Sequence, residues 1–151
     1  MFLNQGFVEQ DWTIVNPDEV TFDNGTVRLT RNVVAGEIKR TFALTSSGRF
    51  VFAIRNMTFH AGNRVRLIFR DLADTTTLHG VYNYNTGIFN SHPFGALAFV
   101  DAIDAGFMVR IYIDNPAYDI TLSSFDVYQD SDFGGAGQSV PRWITPQDAI
   151  L

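Results

Sequence analysis

The side chains able to do chemistry in this sequence are scattered, and their spacing says first what the chain does not do. His60, His79 and His92 lie too far apart for a metal-ligand motif. No Gly-x-Ser-x-Gly elbow is present, and no glycine-rich loop leads from a strand into a helix. Aspartates are plentiful, but glycoside hydrolysis needs two carboxyl groups converging across a cleft, which spacing alone does not supply. The expectation is a protein without catalytic residues and without a cofactor.

Two constellations could bind rather than catalyse. Trp12, Tyr82 and Tyr84, with Asn83, Asn85 and His92, combine aromatic faces that cover sugar C–H surfaces with polar groups that bond hydroxyls. The competing reading packs Trp12 inside the protein and leaves the tyrosines as ordinary strand residues. Arg64, Arg66 and Arg70 share one face of a regular strand, with Arg55 and Arg110 as candidates for neighbouring strands. Guanidinium forks bind carboxylates in a bidentate way, so this stripe suits an acidic partner surface. The competing reading is a solvated face laced with surface ion pairs.

The elements that must position these residues are strands. Apolar and polar residues alternate at Val27 and Leu29, at Phe50, Phe52 and Ile54, at Val65, Leu67 and Phe69, and at Val109, Ile111 and Ile113. Period two predicts strands with one buried and one wet face. Asp23-Asn24-Gly25, Ser46-Ser47-Gly48, Ala61-Gly62-Asn63 and Asn115-Pro116 supply turns. Short strands at this spacing predict an all-β, antiparallel sandwich, with one domain over residues 1–129 and a Gly-rich segment and apolar arm over 130–151.

Several stretches also resemble the carbohydrate-binding-module type of jelly roll, the galactose-binding-like fold found too in phage and viral structural proteins. They are Asn4-Gln5-Gly6-Phe7-Val8-Glu9 with Trp12, Gly25-Thr26-Val27-Arg28-Leu29, the run from Leu44 to Ile54, and the closing run from Phe107 to Tyr128. The resemblance implies a jelly-roll sandwich. It also implies a structural calcium in many such modules, for which Glu9 and Asp126 are the matching positions. Calcium takes 6–8 oxygen ligands, so two carboxylates fall short and no metal is expected.

Composition narrows the partners. The net charge of −5 and the single lysine, Lys39, argue against a nucleic-acid binder. No apolar run reaches the roughly 18 residues of a membrane span, and no membrane partner is expected. The absence of cysteine suits a reducing compartment. The start shows no basic and then apolar leader. Either the chain stays in the cell that makes it, or a leader has been removed.

Two functions follow as expectations. One is a virion structural or accessory protein, a capsid decoration or tail component assembled in host cytoplasm, homo-oligomeric and bound to neighbouring subunits. The alternative is a secreted carbohydrate-binding module that recognises a glycan through loop aromatics. In the first reading Trp143, Ile144, Ile150 and Leu151 pack on a neighbouring subunit, because four apolar residues beyond the last strand need a surface to cover them.

Overall fold

A computed structural model describes residues 2–31, 34–44, 48–85, 96–103 and 105–129, with the backbone alone described at 79–85 and 96–99. Among the described residues eleven strands form two antiparallel sheets, as the alternation predicts. They are β1 (Phe2–Gln5), β2 (Thr13–Val15), β3 (Val20–Asp23), β4 (Thr26–Thr30), β5 (Glu37–Ala43), β6 (Gly48–Ala61), β7 (Arg64–Arg70), β8 (Thr77–Asn85), β9 (Ala96–Ala102), β10 (Gly106–Tyr112) and β11 (Asp119–Gln129). No described helix is long and apolar enough to cross a membrane.

One sheet runs β3-β4-β11-β6-β9, with β1 added beside the second half of β11; the other runs β2-β5-β10-β7-β8. From β4 to β7 the chain changes sheet at every step, which is the jelly-roll route, so β5 and β6 pair only with strands that are not their neighbours in sequence. The turns form where their chemistry allows. Asn24 and Gly25, at φ of 50° and 81°, close the β3–β4 hairpin, because those residues accept positive φ. Gly106, at φ of 137°, opens β10 where any Cβ would overlap the Phe42 carbonyl oxygen.

The inner faces carry the residues that the alternation singled out. Val27, Leu29, Phe50, Phe52, Ile54, Val65, Leu67, Phe69, Val109, Ile111 and Ile113 are all buried in one core. Phenylalanines give it continuity. The Phe42 ring lies 5.6 Å from Phe107 and 5.8 Å from Phe125, and Phe52 stacks on Phe125 at 5.9 Å. Arg40 closes one end, its guanidinium 4.6 Å above Phe42. Burial lowers the Arg40 pKa, and the charge of Asp11 opposes that shift.

The expectation of one wet face fails on part of the six-stranded sheet. Phe50–Ile54 and Ser124–Tyr128 are each buried at five consecutive positions, on both faces. Alternation reports which residues point in; it does not report what lies over the other side.

Candidate binding surface

The outer face of the five-stranded sheet gathers the arginines. Cross-strand pairing sets three rows there: Thr13, Lys39, Arg110 and Ile68; Val15, Glu37, Tyr112, Arg66 and Asn83; Thr41, Met108, Arg70 and Thr77. Arg64, Arg66 and Arg70 thus share a face as the sequence predicts, and Arg110 joins them from the next strand. Arg55 does not, because β6 belongs to the other sheet.

Each arginine of this stripe meets an acidic group. Asp114 accepts two bonds from Arg64, at 2.8 and 3.1 Å, and pairs with Arg66 at 3.0 Å. Glu37 accepts from Arg110 at 2.9 Å, and Asp74 from Arg70 at 2.7 Å. Lys39 has no ion pair with a described acidic residue. Among the described residues, five cations against three carboxylates leave the face net positive on a chain of net charge −5. A shallow depression of about 140 Å³ opens among Thr13, Lys39, Arg40, Thr41, Asp74 and Met108, room for one small ring.

The loop beside that depression is fixed by Asp71, a residue the sequence reading missed. Its carboxylate accepts from the Thr75 and Thr76 amides, at 2.7 and 3.0 Å, and from the Thr75 hydroxyl at 2.7 Å. An Asp four and five residues before a Thr pair was the available signal, since Asp side chains bond nearby backbone amides. These bonds, led by that of the Thr76 amide, hold the Asp71 carboxyl below its usual pKa.

Two further carboxylates titrate low. Burial alone would raise Asp114, but the Arg64 hydrogen bond and the Arg66 and Arg64 charges outweigh it. Asp119, on the other sheet, is held down first by its hydrogen bond from Arg28, against burial. All three fold with pKa values below the unfolded value near 3.9. Their stabilisation is therefore present above that value and lost as pH falls through the folded values. Melting temperature should hold from pH 7 to about 5 and drop below about 4. An Asp114→Asn, Asp119→Asn double variant should melt lower at pH 7 and show a shallower acid decline. An unchanged decline would remove these carboxylates from the explanation.

Of the expected aromatic glycan site, Trp12 falls elsewhere. Trp12 is 6% exposed and stacks on Phe7 at 5.3 Å, so it belongs to the core and is corrected as a ligand contact. Register pairs Tyr82 with Leu67 and Tyr84 with Val65, the core positions of β7, whereas Asn83 and Asn85 pair with Arg66 and Arg64. His92 lies outside the described residues, as do Trp143, Ile144, Ile150 and Leu151.

The calcium positions separate as well. Glu9 is exposed in a single-turn 3₁₀ helix, and Asp126 is fully buried, accepting from Arg55 Nε at 2.5 Å and the Asn4 amide at 2.6 Å. An arginine and an amide thus occupy the carboxylate that would have ligated an ion. Among the described residues no group of three or more metal-ligating side chains converges. His60 Nε2 meets Thr121 Oγ1 at 2.8 Å, an exposed contact on the outer side of the six-stranded sheet.

No protein-family model matches this sequence, and no curated protein matches it. Solved structures do. The glycosylation-associated protein complex Gap123 of Streptococcus agalactiae is similar over 83% of this chain, at 12% identity and a TM-score of 0.53. This chain spans a quarter of that one's length. The C-terminal CBM6 of LamC from Zobellia galactanivorans is similar over 85% of this chain and 93% of its own, at 12% identity and a TM-score of 0.47. TmCBM61, solved with β-1,4-galactotriose, is similar over 81% and 84%, at 10% identity and 0.45. The fold so defined is an antiparallel jelly-roll β-sandwich. At such identities the likeness concerns fold alone.

Proposed function

We propose that this protein is a non-catalytic binding module that takes a carbohydrate bearing acidic groups on the outer face of its five-stranded sheet. One observation carries the reading: the rows through Lys39, Arg110, Arg66 and Arg70 present forked donors on an open face that stays net positive although the chain is acidic. Guanidinium groups recognise carboxylate or sulfate in two-point contacts. The carboxylates already there hold the guanidiniums in place, so little side-chain entropy is lost on binding. Tyr112, half-buried in the row of Arg66, adds aromatic surface between the charges, as sugar ring faces require.

The test is electrophoresis through gels containing pectate, alginate or a sulfated galactan, beside neutral galactan and β-glucan. The acidic polymers should retard the protein, more weakly as salt rises. Lys39→Ala with Arg66→Ala should weaken retardation at least tenfold. Retardation by neutral polymers alone would keep a glycan function and reject this face. Retardation by none would reject the module reading and return attention to assembly with protein subunits.

A further inference from the structure

The depression on the five-stranded sheet holds two opposite charges that do not pair with each other. Lys39 reaches it from β5, and Asp74 from the loop after β7, two strands away. Lys39 pairs across the sheet with Thr13, and Thr41 follows it two residues along the same face, so the three form one corner with both hydroxyl residues exposed. The Lys39 ammonium carries three donors and has no hydrogen bond or ion pair with a described residue. Arg40 lines the depression too, but its guanidinium turns to the core, 4.6 Å from the Phe42 ring.

The other corner is anionic and fixed. Asp74 stands at φ of 57°, its amide bonded to the Asp71 carbonyl at 3.1 Å, in the loop that the Asp71 carboxylate clamps. Its Oδ1 accepts from Arg70 Nε at 2.7 Å, and its carbonyl accepts from Arg70 Nη2 at 3.0 Å. Thr77 Oγ1 accepts from Arg70 Nη1 at 2.6 Å, so each nitrogen of that guanidinium is already engaged. Oδ2 of Asp74 has no partner among the described residues, and the side chain is 49% exposed. A spare anionic acceptor and a spare cation therefore share a space of about 140 Å³.

We propose that this depression is the anchoring subsite of the face and takes one hexuronic acid residue, its carboxylate on Lys39 and its ring hydroxyls on Asp74. The inference rests on the acidic-carbohydrate reading of this face and narrows it from anionic polymers in general to uronates. A cation alone would accept any anion. A carboxylate in the same space adds a demand for donors, because ionised oxygens only accept and bond hydroxyls strongly. A hexuronate meets both demands from one ring, with its carboxylate at one edge and free hydroxyls at the other. A sulfate ester meets the first and fails the second: it occupies a ring hydroxyl, and so puts a further negative charge near Asp74 where a donor is needed. A neutral sugar leaves Lys39 without an anion. The subsite thus discriminates by what it repels as well as by what it binds.

Calorimetric titration tests this with an oligogalacturonate, its methyl ester, its O-acetylated form, and sulfated and neutral galactan oligosaccharides of like length. The oligogalacturonate should bind at least about tenfold more tightly than the sulfated ligand, and either methyl esterification or O-acetylation should remove that advantage. Asp74→Asn keeps an Oδ1 acceptor for Arg70 and suits the left-handed backbone. It should weaken uronate binding about fivefold to tenfold and leave sulfate binding equal or stronger, as expected when a charged acceptor becomes a neutral one. O-acetylation should then cost the variant little more. A wild-type preference for the sulfated ligand, or a uronate-to-sulfate ratio that Asp74→Asn leaves unchanged, would overturn the subsite while the face stood as a binder of acidic glycans. Binding of neither anionic ligand would overturn both. If Asp74→Asn melts early, the esterified and acetylated ligands on the unaltered protein decide alone: undiminished binding of either overturns the subsite.

Discussion

Phe42→Ala should destabilise the protein by about 3–5 kcal/mol, as large-to-small changes at buried phenylalanines do. Phe42 is 1% exposed and sits where both sheets and the N-terminal segment meet. Its ring neighbours Phe2 at 5.3 Å, Phe107 at 5.6 Å, Phe125 at 5.8 Å, Phe52 at 6.2 Å and Trp12 at 6.3 Å. Removing it opens a cavity that β-sheets on two sides collapse into poorly. It also takes away the aromatic face beneath the partly buried Arg40 guanidinium. For a domain stable by about 5–15 kcal/mol, such a loss leaves a marginal fold. Urea denaturation with matched slopes measures it. A cost below about 1 kcal/mol would mean that Phe42 does not join the two halves of the core.

Asp126→Ala should cost about 3 kcal/mol, the low end for one partner removed from a buried ion pair. The carboxylate is fully buried, but Arg55 is 27% exposed, so water can take up part of the loss. The Asn4 amide loses its acceptor in the same variant, which loosens β1 from the C-terminal half of β11. Faster proteolysis near the N-terminus should therefore accompany the lower denaturation midpoint. A double variant, Asp126→Leu with Arg55→Met, should recover most of the stability, because removing both partners leaves no unpaired charge. If the double variant is as unstable as Asp126→Ala, the carboxylate holds the fold through more than this pair. If the stability lost in Asp126→Ala is the same with calcium added or removed, the ion-pair account stands over the metal one suggested by the family resemblance.

Much of the fold follows from patterns within ten residues of each other. Period two decides which side chains of β4, β6, β7 and β10 face inward, because a strand has only two faces. Asn24-Gly25 decides where β3 turns into β4, because few other residues accept those dihedral angles. The arginine stripe on β7 is legible for the same reason. What the stripe meets is not: Asp114 reaches Arg64 from 50 residues away, and Glu37 reaches Arg110 from 73. Those meetings depend on which strands lie side by side, and register between distant strands is set by the packing of the whole sandwich.

Trp12 shows the limit most directly. Its residue type suits a sugar platform or a core equally, and only its stacking on Phe7 and edge-on contact with Phe125 decide for the core. Val51 and Ala53 show it again, since alternation assigns them to the outer face without revealing that this face is covered. The sequence by itself determined the strands, their inward residues and their turns, all set by local backbone geometry and side-chain period. The pairing of buried charges, the closed half of the six-stranded sheet and the open face of the other were decided only by the tertiary structure, because burial depends on neighbours that the chain brings from far along its length.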